Sequence, residues 1–101
     1  MAEDTISVPI EQVRHLALEF RTASGDSMET VQRLHRAVYS LEGQWDGYAQ
    51  QRFFQEYRQW ELMMRQFAQL LENVGVQLGA IADDFTEADR QIARKLAGPS
   101  S

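Results

Sequence analysis

The chain has 101 residues and no cysteine, with 44% hydrophobic and 25% charged residues and a formal net charge of -5. This composition fits one ordered domain, only modestly stable alone at such a length, so burial beyond the single chain is expected. Missing cysteines exclude disulfides, thiolate metal sites and thiol nucleophiles, and an acidic balance with ten scattered basic residues argues against duplex nucleic acid or an anionic membrane as the main partner.

The first residues, MAEDTISVP, are acidic and lack both a basic segment and an apolar core, so they do not read as a cleavable secretory signal peptide. No apolar run approaches the roughly 20 residues that cross a bilayer. Pro9 suits the first turn of a helix, with Ser7 available as a cap. From there Ile10, Val13, Ala17, Phe20, Ser24, Ser27, Val31, Leu34, Val38, Leu41 and Trp45 alternate by three and four, a heptad stripe. Small and polar residues from Ala23 to Ser27 thin the stripe, yet its register resumes unshifted at Val31. One helix over about 9–42 with a thin waist is therefore expected, packing offsetting the cost of about 1 kcal/mol for an interior glycine.

The segment Gly43-Gln44-Trp45-Asp46-Gly47 then forms a turn. Gly43 can adopt the left-handed conformation that ends a helix, Asp46 can cap the next one and Gly47 can ease a tight entry. A second stripe follows through Phe53, Tyr57, Trp60, Met64, Phe67, Leu71, Val74, Leu78, Ile81, Phe85, Ala88 and Ile92, predicting a helix over about 48–96 and a short flexible tail at 97–101. Two long helices joined by a few residues fold back as an antiparallel hairpin, a single all-α domain spanning 1–101. Trp45 falls at its tip, where its ring either seals the end or binds a partner.

The apolar surface is wider than one hairpin needs. Met63 and Leu70 extend it on one flank of helix two, and Phe54, Ala68, Gly75 and Ala82 on the other, while Leu16, Ala23, Thr30 and Ala37 extend it on helix one. Repetition at sevenfold spacing predicts a second interface, met most economically by a dimer of hairpins forming a four-helix bundle. Leu16, Phe54, Met63, Ala68, Leu70 and Gly75 are the residues expected in it. With the hairpin pivoting near Trp45, Ile10 is expected to face residues near Ala80, leaving the end of helix two as an overhang that Ile6 and Val8 can partly cover.

Nothing points to catalysis, a cofactor or a metal. His15 and His35 lie roughly 30 Å apart on one helix, and Glu11 with His15 supplies only two ligands. Asp83, Asp84, Glu87 and Asp89 read as a solvated acidic face, with specific ion binding the less favoured alternative. No nucleophile with a nearby base and no phosphate-binding glycine loop can be assembled, so an enzyme is not expected.

Two long helices around Trp45-Asp46-Gly47, with Phe85-Thr-Glu-Ala-Asp89 near the end, make the chain resemble the WXG100, or ESAT-like, family of bacterial type VII secretion substrates. The resemblance implies a small hairpin protein secreted folded without a cleaved signal peptide, paired with itself as a homodimer or with a related WXG protein. It also implies that Trp45, Gly47, Phe85 and Asp89 form a composite export signal, joined across an antiparallel dimer and read by the secretion system's membrane-bound ATPase. Phe85 stands where the family usually has tyrosine, keeping the ring and losing the hydroxyl. The alternative from helical periodicity alone is an intracellular coiled-coil adaptor or scaffold that is not itself secreted.

Overall fold

The computed structural model describes residues 9–97. Two helices, α1 (Ile10–Tyr39) and α2 (Gly47–Ala97), pack antiparallel as an all-α hairpin, a rod measuring 81 × 28 × 15 Å. Pro9 sits at the N-cap of α1, and its carbonyl accepts the Val13 N–H at 2.9 Å. Ser7, Ile6 and Val8 lie outside the described residues, as do residues 98–101.

α1 runs unbroken through its waist, Gly25 included. It ends at Tyr39, earlier than the expected neighbourhood of Glu42. The N–H groups of Leu41 and Glu42 bond to carbonyls three residues back, at 3.0 and 3.2 Å, which tightens the chain out of α geometry. Gly43 follows at φ 88, the left-handed conformation that releases the chain from the helix. Asp46 caps α2, its Oδ1 accepting the Ala49 N–H at 3.0 Å. The Gly43 N–H is itself bound by Gln50 Oε1 at 2.6 Å, which ties the turn to the first turn of α2.

The two helices meet along small side chains. Ala17, Ser24 and Val31 are the buried residues of α1, and α2 answers with Phe54, Tyr57, Ala68, Gly75 and Ala82, of which Ala68 and Ala82 are wholly inaccessible. Ser24 Oγ donates to the Ala68 carbonyl at 2.7 Å, a contact available only where two backbones come close. At Gly75 the approach is tighter still: a methyl group there would lie 2.5 Å from Arg21 Cγ and 2.8 Å from the Ala17 carbonyl oxygen. Phe54, Ala68 and Gly75, expected in a second interface, are therefore the internal seam of the hairpin. Their side chains are small, or at the tip flat, and they admit α1 rather than another molecule.

Cross-helix polar contacts line one edge of this seam: Arg14 to Asp83 at 2.6 Å and to Thr86 at 3.0 Å, Arg21 to Glu72 at 3.2 Å, and His35 to Glu61 at 2.8 Å. Their register places Ile10 opposite residues 82–86, a little further along α2 than Ala80. The overhang consequently begins after Thr86.

Gly75→Ala should destabilise the hairpin by about 1–3 kcal/mol, because the Ala17 carbonyl cannot move aside as the Arg21 side chain can. Gly25→Ala should instead stabilise it by up to about 1 kcal/mol, since nothing lies within 4 Å of the added methyl and the helix propensity improves. Urea denaturation followed by circular dichroism checks both, and equal effects of the two substitutions would contradict the seam.

Candidate functional site

Three regions bear on function: the turn, the broad apolar edge and the overhang. At the turn, the Trp45 ring lies 4.9 Å from that of Phe53 and 6.4 Å from that of Phe54, within offset-stacking range. It is nevertheless 36% exposed, so the ring both closes the hairpin and presents a face to solvent. Gly47 was expected to ease a tight local entry, yet a methyl group added there would meet nothing within 4 Å, and its surroundings are open. The tip thus offers an indole beside an unobstructed stretch of backbone.

Below the tip, the aromatic layer continues through Tyr39 and Tyr57 and meets a carboxylate inside the seam. Glu61 accepts from His35 Nδ1 at 2.8 Å and from Arg65 Nε at 3.1 Å, with only 15% of its side chain exposed. Burial alone pushes its pKa up, but the hydrogen bonds from His35 and Arg65 and the His35 charge outweigh this, with the Tyr57 hydroxyl close by, and the net shift is downward. Burial, helped by Glu61, drives the Tyr57 phenol up to about 12. The Tyr57 hydroxyl is buried with no partner in good hydrogen-bond geometry. Sequence reading missed this cluster, although a signal was present: in the sevenfold series Phe54, Glu61, Ala68, Gly75, Ala82, only Glu61 carries a charge.

Opposite the polar edge, the hairpin exposes large side chains along its length. Leu16 on α1 and Trp60, Met63, Phe67, Leu70 and Ile81 on α2 are all exposed. Much of the stripe expected to close the hairpin therefore faces outward, because the small-residue seam takes the closest approach and pushes bulky neighbours to one side. Where the waist of α1 is thinnest, Asp26, Ser27, Thr30 and Val31 face Trp60, Met63, Met64 and Phe67 across an open groove of about 550 Å³. Of the expected interface set, Leu16, Met63 and Leu70 lie on exposed surface.

At the far end, Phe85 is 40% exposed and Asp89 is exposed one turn later on the same helix face. Thr86 between them is held by Arg14, so this element begins where α1 begins. The structure does not bring Phe85 and Asp89 near Trp45 and Gly47 within one chain. Some 38 helical residues separate the two pairs, roughly 57 Å at 1.5 Å per residue. Among the described residues, no group of three or more potential ligands could hold a metal ion, and no helix is long and apolar enough to cross a membrane.

A family model described as proteins of 100 residues with WXG matches residues 5–90. Protein YukE of Bacillus subtilis is 28% identical over 93 residues, covering 92% of this chain and 96% of that protein. Type VII secretion system extracellular protein A of Staphylococcus aureus is 30% identical over 91 residues, covering 90% and 94%. Among solved structures, the secreted protein EsxB of Bacillus anthracis superposes with a TM-score of 0.75 at 34% identity, covering 84% of this chain and 97% of that one. Geobacillus thermodenitrificans EsxA gives a TM-score of 0.74 at 30% identity, covering 88% and 97%.

The Glu61 cluster gives a pH dependence of definite sign. A carboxyl whose pKa is lower in the fold than in the unfolded chain contributes stability that is complete above its unfolded value, near 4.5, and lost as pH falls through the folded value. Glu61→Gln should therefore flatten the rise in stability between acid and pH 5, measured by urea unfolding at stepped pH. Tyr57→Phe should be neutral or stabilising at pH 7, because it removes a buried hydroxyl without a partner. A large loss would contradict that assignment of the hydroxyl.

Proposed function

This chain belongs to the WXG100 family, and from that premise we propose how its hairpin serves type VII secretion. It is a secreted, non-enzymatic helical hairpin, found outside the cell by way of that system. The finer reading is that it leaves as an antiparallel homodimer whose two ends each carry a complete export signal.

One observation carries this reading. Trp45 and Gly47 sit at one end of an 81 Å rod, with Phe85 and Asp89 towards the other. A single chain cannot present them together to one reader. A second hairpin laid antiparallel on the broad apolar edge sets its Phe85 and Asp89 beside the first chain's Trp45, and the reverse at the opposite end. The open backbone at Gly47 leaves room for that approach.

The apolar edge is large enough for such a pairing. Along the 30 residues of α1 it runs about 45 Å, and two helix widths make it about 20 Å across. The resulting area of about 900 Å² per partner matches a standard interface of about 800 Å² each. A symmetric dimer also needs a self-complementary patch. Trp60 and Phe67 supply projecting side chains, and Ser27 and Thr30 a shallow site across the same groove. In this arrangement Leu16, Met63 and Leu70 belong to the dimer, and the membrane ATPase of the secretion system reads the assembled ends.

The purified chain should sediment at twice its monomer mass, and Met63→Glu or Phe67→Glu should release folded monomers, lowering dimer affinity at least about 100-fold if these are interface anchors. An unchanged dimer in both variants would contradict the assigned face. For export, Asp89→Ala should leave the dimer folded while the protein stays in the cells. Immunoblots of medium and cells, with a cytosolic marker to report lysis, check this. Undiminished secretion of the variant would remove Asp89 from the signal.

A further inference from the structure

The Glu61 cluster and the Trp45 turn are joined by a continuous layer of rings. Glu61 accepts from His35 Nδ1 at 2.8 Å and from Arg65 Nε at 3.1 Å, so one carboxylate ties α2 to α1. The His35 ring lies 4.5 Å from that of Tyr39, the last residue of α1, and Tyr39 lies 5.0 Å from Phe54 and 6.1 Å from Tyr57. Phe54 and Phe53, 5.5 Å apart, then flank Trp45 at 6.4 and 4.9 Å. Each step falls within the range over which aromatic pairs have preferred geometries.

Two features single out Glu61 as the anchor of this layer. The Tyr57 hydroxyl is buried with no partner, so packing alone sets that ring, whereas the His35 ring is pinned by a directional hydrogen bond to the opposite helix. Tyr39 also stands where α1 leaves α geometry: the N–H groups of Leu41 and Glu42 bond three residues back, and the chain reverses at Gly43. The orientation of Tyr39 therefore bears on how the turn departs, and Trp45 is carried by that turn.

We propose that Glu61 is a positioning residue for Trp45, acting through His35, Tyr39 and Phe54 to hold the indole in its partly exposed pose at the hairpin tip. It acts at a distance, since 14 residues of α2, roughly 21 Å, separate it from Gly47. With the acceptor removed, the His35 ring is free to turn, Tyr39 loses the neighbour that steadies it, and Trp45 exchanges between its packed pose and a solvated one. Chains of packed side chains carry coupling of this kind, and a double-mutant cycle is the measurement that detects it.

The coupling stands on the ring geometry alone, and its consequence for secretion rests on the export reading. A reader that recognises Trp45 in one pose finds a weaker signal once Glu61 is lost, although neither Trp45 nor Asp89 has been altered.

Acrylamide quenching of Trp45 fluorescence in the full-length chain, with Trp60→Phe as background so that one indole reports, tests the coupling without secretion. Glu61→Leu should raise the quenching constant about two-fold, the lower end of the effects seen between residues of one network. Glu61→Gln, which keeps an acceptor oxygen, should stay near the parent value. His35→Leu should match Glu61→Leu, and the two together should do no more than either alone. Arg21→Leu, which removes the Arg21–Glu72 pair further along the same edge, should leave Trp45 unchanged. The pattern should persist when Met63→Glu is added.

Unchanged quenching in Glu61→Leu would overturn the proposal, as would additive effects of the Glu61 and His35 substitutions. So would an equal effect of Arg21→Leu, which would reduce the coupling to general loosening, or an effect that vanishes with Met63→Glu, which would assign it to contact with a second copy. In the native host, Glu61→Leu should lower the exported fraction. Its normal export beside retained Trp45→Ala would overturn the consequence for secretion, whereas normal export of both would overturn the export reading instead.

Discussion

The close approach of α1 to α2 over small side chains is the constraint on which the remaining features depend. Gly75 leaves no room for a methyl beside the Ala17 carbonyl, and Ser24 reaches the Ala68 carbonyl directly. A seam this narrow cannot accommodate the tryptophan, phenylalanines and methionines that flank it, so they emerge on one edge. The polar edge takes the ion pairs, most of them exposed and individually worth little. Most of the large exposed apolar side chains thereby lie on one broad side, which no part of the chain covers among the described residues, while Leu18 and Val76 are exposed beside Arg14 and Arg21 on the other.

Much of this was legible in the sequence. Alternation by three and four marked two helices and excluded strands, and Gly43 and Asp46 marked how one helix ends and the next begins. The assignment of flanks was not legible. Ala68, Gly75 and Ala82 at sevenfold spacing say that a helix approaches closely, but spacing alone does not say whose helix it is. The answer depends on the register set by Ser24 and Arg21, side chains that read as waist and surface when taken singly. Glu61 was overlooked for a related reason: its partners, His35 and Arg65, come from both helices, and only the folded hairpin gathers them.

The candidate export residues show the same division. Trp45-Asp46-Gly47 and Phe85 with Asp89 were recognisable as local patterns, and the structure leaves Trp45, Phe85 and Asp89 accessible. Their separation follows from helix length and could be estimated in advance. What the fold adds is that the apolar edge runs between them, so one surface can set the distance at which a second copy aligns opposite ends. On the proposed reading, packing, dimerisation and signal assembly depend on one another: a change in the seam would shift the edge, and a change in the edge would separate the signal.

Intermolecular complementation tests that dependence most directly. Trp45→Ala and Asp89→Ala chains would be expressed alone and together in the native host, each with a different epitope tag, and the medium assayed for both. In an antiparallel dimer of the two variants, one end loses both Trp45 and Asp89, and the other keeps an intact Trp45 from one chain beside an intact Asp89 from its partner. The account predicts that each variant alone stays in the cells and that both appear outside when made together. Retention of the pair, with mixed dimers recovered from the cytoplasm, would contradict assembly of the signal across the dimer.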